Sequence, residues 1–349
     1  AAWAPMAPLG RVLVLDEQDE VYQEESSPTW HARDVVIERA RRAGAPCLLV
    51  SPTPTLEALA WGQLFTSPRA EERAGWPRLD IVDQRDLDPT LGPLFSPQLV
   101  SLVRGPGRVL CVLNRKGRAR LLACGTCTTL ARCEVCDAAV SQEEVDPDAR
   151  TGDGTHERAM QFSCGRCGAR RPTVCLECGG TRFKALRLGV SRAREELETL
   201  ANEPVAELTG STPDDDRSVR DARIVIGTEA LLHRVVRADA VAFLDFDQEL
   251  LALRYRAGEE ALALLARAAR AVRRPDGSLG RILVQTRTPD HPALVAARRS
   301  DPGHLTEGEI PLRAALRLPP AWAMALVSGA AAPDFVAAFG NPAGIEVQG

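Results

Sequence analysis

The sequence predicts an α/β protein of parallel sheets with flanking helices, interrupted by a cysteine-rich metal module. Three observations predict this. Short continuous apolar runs end in polar residues, as strands buried on both faces do. Stretches with helical apolar spacing separate those runs, so strand and helix alternate. Eight of the 10 cysteines form four C-x2-C pairs between Cys124 and Cys178.

The elements follow in order. Gly10 to Asp16, GRVLVLD, reads as a buried parallel strand that ends in an acid. His31 to Ala43 has apolar residues at helical spacing, and Pro46 to Val50 is a second buried strand. SPTPTLEALAWG then gives a turn and a short helix. Ile81 to Val103 is irregular and Pro-rich and reads as a linker between lobes. Arg108 to Asn114, RVLCVLN, is a buried strand leading to the cysteines. Ser141 to Gln161 reads as a mobile polar loop. After the cysteines come a helix from Ser191 to Asn202 and strands at Val205–Leu208, Ala222–Gly227 and Ala240–Asp245. A helix from Gly258 to Arg273 and a strand from Gly280 to Thr286 complete the alternation. The tail beyond Pro302 reads as a small separate unit.

Composition bounds the function. At 349 residues the chain is too long for one small core, and about 150 residues per domain predicts two or three units. Its formal charge of −4 gives no global basic field, so any nucleic-acid contact must be a local patch. No apolar run is long enough to span a bilayer, which excludes a membrane partner, and the N-terminus lacks a signal-peptide pattern. The first residue is not Met, so the chain reads as a fragment or a processed form. Paired cysteines in so long a chain favour metal in a reducing cytoplasm over disulfides.

The knuckles are Cys124–Cys127, Cys133–Cys136, Cys164–Cys167 and Cys175–Cys178. A C-x2-C turn aims two thiolates at one point, and two turns complete a tetrahedral zinc site with no open position. Such sites are structural. An iron–sulfur cluster would also take four thiolates, but this spacing differs from the ferredoxin runs. Cys47 and Cys111 sit inside strands and read as buried apolar cysteines. Four knuckles can pair in three ways. The nested pairing puts Cys124, Cys127, Cys175 and Cys178 on one ion, and Cys133, Cys136, Cys164 and Cys167 on the other. It keeps the chain antiparallel. The sequential pairing must bring its two knuckles together across only Thr128 to Arg132. Arg132, Arg166, Arg170, Arg171, Arg182 and Lys184 surround the knuckles, first as charge compensation for the thiolates and second as a contact surface.

The order of these features resembles the PriA family of primosomal replication-restart helicases (primosomal protein N′). The match runs from about Gly10 to about Pro320 on several segments. VLVLDEQDEVYQEESSPTWHARDV resembles a Walker B region followed by H-A-R-D. SPTPTLEA resembles S-A-T-P-S-x-E. VLNRKGRARLLAC resembles the N-R-R-G-Y run before the first knuckle. RIVIGTEAL, LARAARA and IPLRAALRLPP resemble later family motifs. The resemblance implies two RecA-like, DEAH-type superfamily 2 lobes with a two-zinc insertion in the second, and the family pairs its cysteines in the nested way. It divides the chain into 1–103, the C-terminal part of lobe 1; 104–120 with 186–300, lobe 2; 121–185, the zinc insertion; and 301–349, the start of a C-terminal domain of α+β type.

By the same resemblance, Asp16 and Glu17 occupy the Walker B positions that hold Mg²⁺ and activate water. Arg267 and Arg270 match the family's γ-phosphate contacts. Arg115 and Lys116 are candidate DNA contacts. Expected partners are branched fork DNA, primosome proteins, the loading machinery of the replicative helicase and single-stranded DNA-binding protein, in a nucleoid-associated, cytoplasmic setting.

The departures matter as much. Gln18 and Asp19 stand where the family has Glu and His. Ala266 and Ala269 replace glycines, adding a Cβ where backbone approaches phosphate. Leu232 to Asp239 has no glycine where the family has a Lys-Gly-His-Asp-Phe run. No Walker A loop occurs in the chain. The pattern is similar to actinobacterial-type members, with eroded helicase motifs and intact cysteines. It implies little or no ATPase or unwinding activity, with ATP and Mg²⁺ binding weakened or lost. The alternative is an active ATP-dependent 3′–5′ DNA helicase whose Walker A lies upstream.

Overall fold

The computed structural model describes residues 2–5, 8–24, 26, 29–86, 94–114, 122–144, 160–185, 190–208, 212, 217–235, 237–274, 276–340, 342 and 344–347. The chain starts with β1 (Val12–Leu15), β2 (Gln23–Glu24), β3 (Trp30–His31), α1 (Ala32–Ala43), β4 (Cys47–Val50), α2 (Leu56–Trp61) and α3 (Arg69–Gly75). His31 caps α1 through Nδ1, which accepts from the Arg33 N–H, and Gly44 ends the helix in the left-handed region. Thr55 caps α2 through its hydroxyl, which accepts from the Ala58 N–H.

β1 and β4 pair in parallel as a two-stranded sheet. The two strands were expected to be buried on both faces, and here the structure differs. Leu13, Leu15, Leu48 and Val50 are exposed, and the register sets Leu13 beside Leu48 and Leu15 beside Val50. Val14 alone on these strands is buried. Side chains alternate across a strand, and α1 packs against one face only.

The larger lobe is built from β5 (Arg78–Asp83), α4 (Pro97–Arg104), β6 (Val109–Val112) and, after the cysteine module, α5 (Val190–Ala201), β12 (Val205–Leu208), α6 (Arg217–Asp221), β13 (Ile224–Gly227), α7 (Ala230–Arg234), β14 (Ala240–Phe243), α8 (Asp247–Leu250), α9 (Ala257–Ala271), β15 (Arg281–Thr286) and α10 (Pro292–Arg299). The cysteine module has strands of its own: β7 (Leu122–Cys124), β8 (Ser141–Glu144), β9 (Met160–Ser163), β10 (Arg170–Pro172) and β11 (Phe183–Ala185). Six strands form one parallel sheet in the order β12-β13-β6-β14-β15-β5. Alternate residues feed two cores. Leu110, Val225, Val241 and Ile282 pack beneath α7, α9 and α10, while Val109, Cys111, Ile224 and Leu283 pack beneath α4 and α5. Continuous apolar runs are what a sheet covered on both faces requires. Gly227 is forced by packing, because a Cβ there would collide with the carbonyl oxygen of Leu208.

Three further expectations need correcting. The segment read as a linker, 81–103, holds the end of edge strand β5 and the amphipathic helix α4, whose Leu99 and Val103 are fully buried. Its prolines mislead, since Pro97 sits in the first turn of α4, where the missing N–H costs nothing. The polar loop from Ser141 to Gln161 begins and ends as the antiparallel pair β8–β9, and residues 145–159 lie outside the described residues. The tail is not separate at its start. α11 (Gly303–Ala315) packs on α10, and its Arg313 is buried. α12 (Ala332–Phe339) buries nothing, and beyond α10 the described residues contain no strand.

The cysteine module enters and leaves the lobe through the antiparallel pair β7–β11, with Cys124 opposite Phe183. Its small core joins Leu122, Ala138, Val140 and Phe162 to the cysteines, and Phe183 meets the Phe162 ring edge-on at 4.8 Å. No helix among the described residues is long and apolar enough to cross a membrane.

Candidate metal centres and the cleft between the lobes

Each knuckle is a tight turn. The carbonyls of Cys124, Cys133, Cys164 and Cys175 accept from the N–H four residues on, at Thr128, Asp137, Gly168 and Gly179. Those four residues all lie in the left-handed region, with φ of 61°, 59°, 74° and 74°. Glycine suits that conformation, whereas Thr128 is strained there by its β-branch. The Thr126 and Val135 N–H groups donate to the sulfurs of Cys124 and Cys133 at 3.4 Å. Backbone N–H groups, that of Cys127 first, push the Cys124 thiol down to about 6. Such donors stabilise thiolate, the form a metal binds.

The nested arrangement brings the cysteines together. Cys124, Cys127, Cys175 and Cys178 form one cluster, and Cys133, Cys136, Cys164 and Cys167 form the other, with the sulfurs of each within 4.8 Å of one another. Cys124–Cys178 are 3.6 Å apart, and Cys127–Cys175, Cys133–Cys167 and Cys136–Cys164 are each 3.5 Å apart. A tetrahedron with Zn–S bonds of about 2.3 Å has edges of about 3.8 Å. Four thiolates this close repel one another unless a cation sits among them. The donor set therefore fits zinc in both clusters.

The surrounding cations divide into two groups. Arg166 donates to the carbonyls of Cys136, Ala252 and Arg254, and so ties the second cluster to the loop before α9. Arg171 lies over the Phe162 ring at 4.7 Å and donates to the Arg132 and Val174 carbonyls. Arg132 pairs with Asp137 at 3.0 Å. Arg132 and Arg171 thus serve the module's own fold, and Arg166 anchors it to the lobe. Arg170, Arg182 and Lys184 are exposed and make no ion pair among the described residues. Arg115 and Lys116, the candidate DNA contacts, lie outside the described residues.

The second candidate site is the cleft where β1 ends against α9. Asp16 follows β1 with φ of 53°, and its carboxylate accepts from the Arg270 guanidinium at 2.7 Å, which holds its pKa below the usual value. Asp19 accepts from Arg267 at 2.7 Å. Asp16, Arg267 and Arg270, three residues singled out in the sequence, thus meet in one place, Arg270 paired with Asp16 and Arg267 with Asp19. Glu17 is different. It is 1% exposed and accepts from Arg33 Nη1 at 2.9 Å, the Thr55 N–H at 2.8 Å and the Thr55 hydroxyl at 2.9 Å. A carboxylate so buried and so partnered is an internal brace.

Sequence reasoning missed a buried cluster beside this cleft. Glu57 pairs with Arg256 at 2.8 Å, Glu259 pairs with Arg313, and one Glu259 oxygen accepts from the Leu56 N–H at 2.7 Å. Arg313 also lies over the Tyr255 ring at 5.2 Å. Glu57 and Arg313 fall inside quoted motifs, SPTPTLEA and IPLRAALRLPP, so their position was visible although their pairing was not.

No protein-family model matches the chain. Similarity to curated proteins is extensive. A replication restart protein PriA of Haemophilus influenzae is 27% identical over 353 aligned positions, gaps included, which span 95% of this chain and 46% of that protein. A probable replication restart protein PriA of Mycobacterium leprae is 31% identical over 94% of this chain and 51% of its own length. The Bacillus subtilis protein of the same name is 25% identical over 94% of this chain and 42% of its own length. The chain spans about half the length of the curated relatives it matches.

Proposed function

We propose that this chain, which is PriA-like over nearly its whole length, is the core of a replication-restart protein that binds stalled or abandoned forks and helps reload the replicative helicase. The observation that carries this reading is the similarity to proteins of that name across 94–95% of the chain. Two nested Cys₄ clusters inserted after β6 support it. Each cluster would hold a structural Zn²⁺, supplying cross-links and no open coordination position. Exposed Arg170, Arg182 and Lys184 offer local basic charge to fork DNA or a partner, the role also proposed from the sequence for Arg115 and Lys116. The boundaries follow the family division, with one adjustment. Pairing of β5 with β15 favours starting the second lobe near Arg78 rather than at residue 104.

The cleft favours a scaffold role over a motor. Ala266 and Ala269 are buried on α9, and the two arginines beside them are engaged by carboxylates. Nucleoid association and contact with single-stranded DNA-binding protein belong to the same proposal. The test uses the full-length protein with branched DNA. Tight fork binding with ATP turnover near background is the expected result. DNA-stimulated hydrolysis at ordinary helicase rates would replace the scaffold with the motor, and absence of fork binding would remove the restart reading.

A further inference from the structure

We infer that the cleft between the β1–β4 portion and the six-stranded lobe is an ionic clasp that closes without nucleotide, with Arg313 at its centre. This goes beyond fork binding and does not depend on it.

Two layers of contact cross the cleft. The outer layer is a row of partly exposed pairs: Asp16–Arg270, Asp19–Arg267 at 2.7 Å and Glu20–Arg254 at 2.9 Å. The inner layer is buried. Arg313 of α11 is 1% exposed, pairs with Glu259 of α9, and stands 3.8 Å from Glu57 of α2. Its own-helix neighbour Glu309 takes its Nε at 3.2 Å. Three chain segments distant in sequence therefore converge on one guanidinium. A fork of five donors can satisfy several carboxylates at once, which an ammonium cannot do in plane. Removing it would leave Glu259 buried and unpaired, a costly state.

Nucleotide has no role in this geometry. A triphosphate bridging the lobes would need free cations in the cleft. Arg267 and Arg270 are already held by Asp19 and Asp16. The adjoining cavity, about 190 Å³, is lined by Glu17, Asp19, Glu20, Glu259 and Glu260 against Arg254 and Arg256. Both arginines of that lining are already taken, Arg254 by Glu20 and Glu260 and Arg256 by Glu57.

Two neighbouring amides report on the clasp. The Leu56 N–H crosses the cleft to Glu259, whereas the Thr55 N–H stays within its own portion on Glu17. Hydrogen exchange at Leu56 therefore follows lobe separation, with Thr55 as internal reference. In the intact chain, Mg–ATP and a non-hydrolysable analogue should leave both amides unchanged. Arg313→Ala should speed exchange at Leu56 by about tenfold or more relative to Thr55, as local opening becomes easier. Should Arg313→Ala fail to fold, the outer row decides. Arg267→Asp with Arg270→Asp should speed Leu56 exchange, and adding Asp16→Arg with Asp19→Arg should restore it. Slower exchange at Leu56 on adding nucleotide would overturn the clasp. So would an unchanged Leu56-to-Thr55 ratio in folded Arg313→Ala, or failure of the charge swap to restore protection.

Discussion

The cysteine module and the cleft between the lobes are both polar sites set in an apolar scaffold, yet they are assembled in opposite ways. Each metal cluster is built from two local turns whose geometry is set by a few residues: a C-x2-C, a left-handed residue after it, and N–H groups aimed at sulfur. The cleft is built from single residues carried by β1, α1, α2, α9 and α11, none of which defines the site alone. The first kind of site depends on a ligand's own bonding, the second on how whole elements pack. Their responses to perturbation should therefore separate.

Metal removal should give the largest effect and tests the separation directly. Structural zinc in small modules contributes about 10–16 kcal/mol of apparent binding energy at neutral pH. Chelation should abolish hydrogen-exchange protection in β7 to β11 while β6, β13 and β14 stay protected. Cys133→Ala should release one of two zinc equivalents on elemental analysis. Collapse of the six-stranded sheet on chelation would end the distinction between module and lobe.

Glu17→Ala comes next. It removes the one buried carboxylate partner of the Arg33 guanidinium, leaving it the exposed Asp34, and should cost about 3 kcal/mol in urea unfolding. A loss below about 1 kcal/mol would mean that Glu17 is solvated and free for catalysis.

The lobes carry a pH dependence of their own, apart from the proton competition at the thiolates. Burial first, and Asp247 second, push the Asp245 carboxyl up to about 7, and its buried Oδ1 has no hydrogen-bond partner. The folded state thus holds that proton more tightly than the unfolded chain. The resulting stability is full below the unfolded value near 3.8 and is lost as pH rises through about 7. Asp245→Asn should flatten this loss in unfolding midpoints measured across pH 5 to about 8. His31 and His291 act on the other limb. Burial pushes both down to about 4, so their contribution is present above 6.5 and is lost as pH falls through about 4.

The smallest effect belongs to the outer row of the cleft. Arg270 is 56% exposed on its side chain, so Arg270→Ala alone should change stability by less than about 1 kcal/mol, and less still in high salt.

Much of this molecule is legible in its sequence. The apolar runs around Leu110, Ile224, Val241 and Leu283, with the short strand Val205–Leu208, gave five of the six strands of the large sheet, because strands covered on both faces have to be largely apolar. The knuckles marked the clusters, because thiolate pairs at fixed spacing have few other uses. Strand β5 was missed because RLDIVD alternates like an edge strand next to prolines. The exposed face of β1 and β4 was missed because apolarity reports a preference for burial, and neighbours decide whether it is met.

The sequence by itself determined which residues can bind metal and which runs become strands, since both follow from chemistry within a few bonds of the residue. Only the tertiary structure decided what Glu17, Asp16, Arg270 and Arg313 do. A charge takes its role from the partner that folding sets against it, and here those partners lie 16 to 254 residues away along the chain.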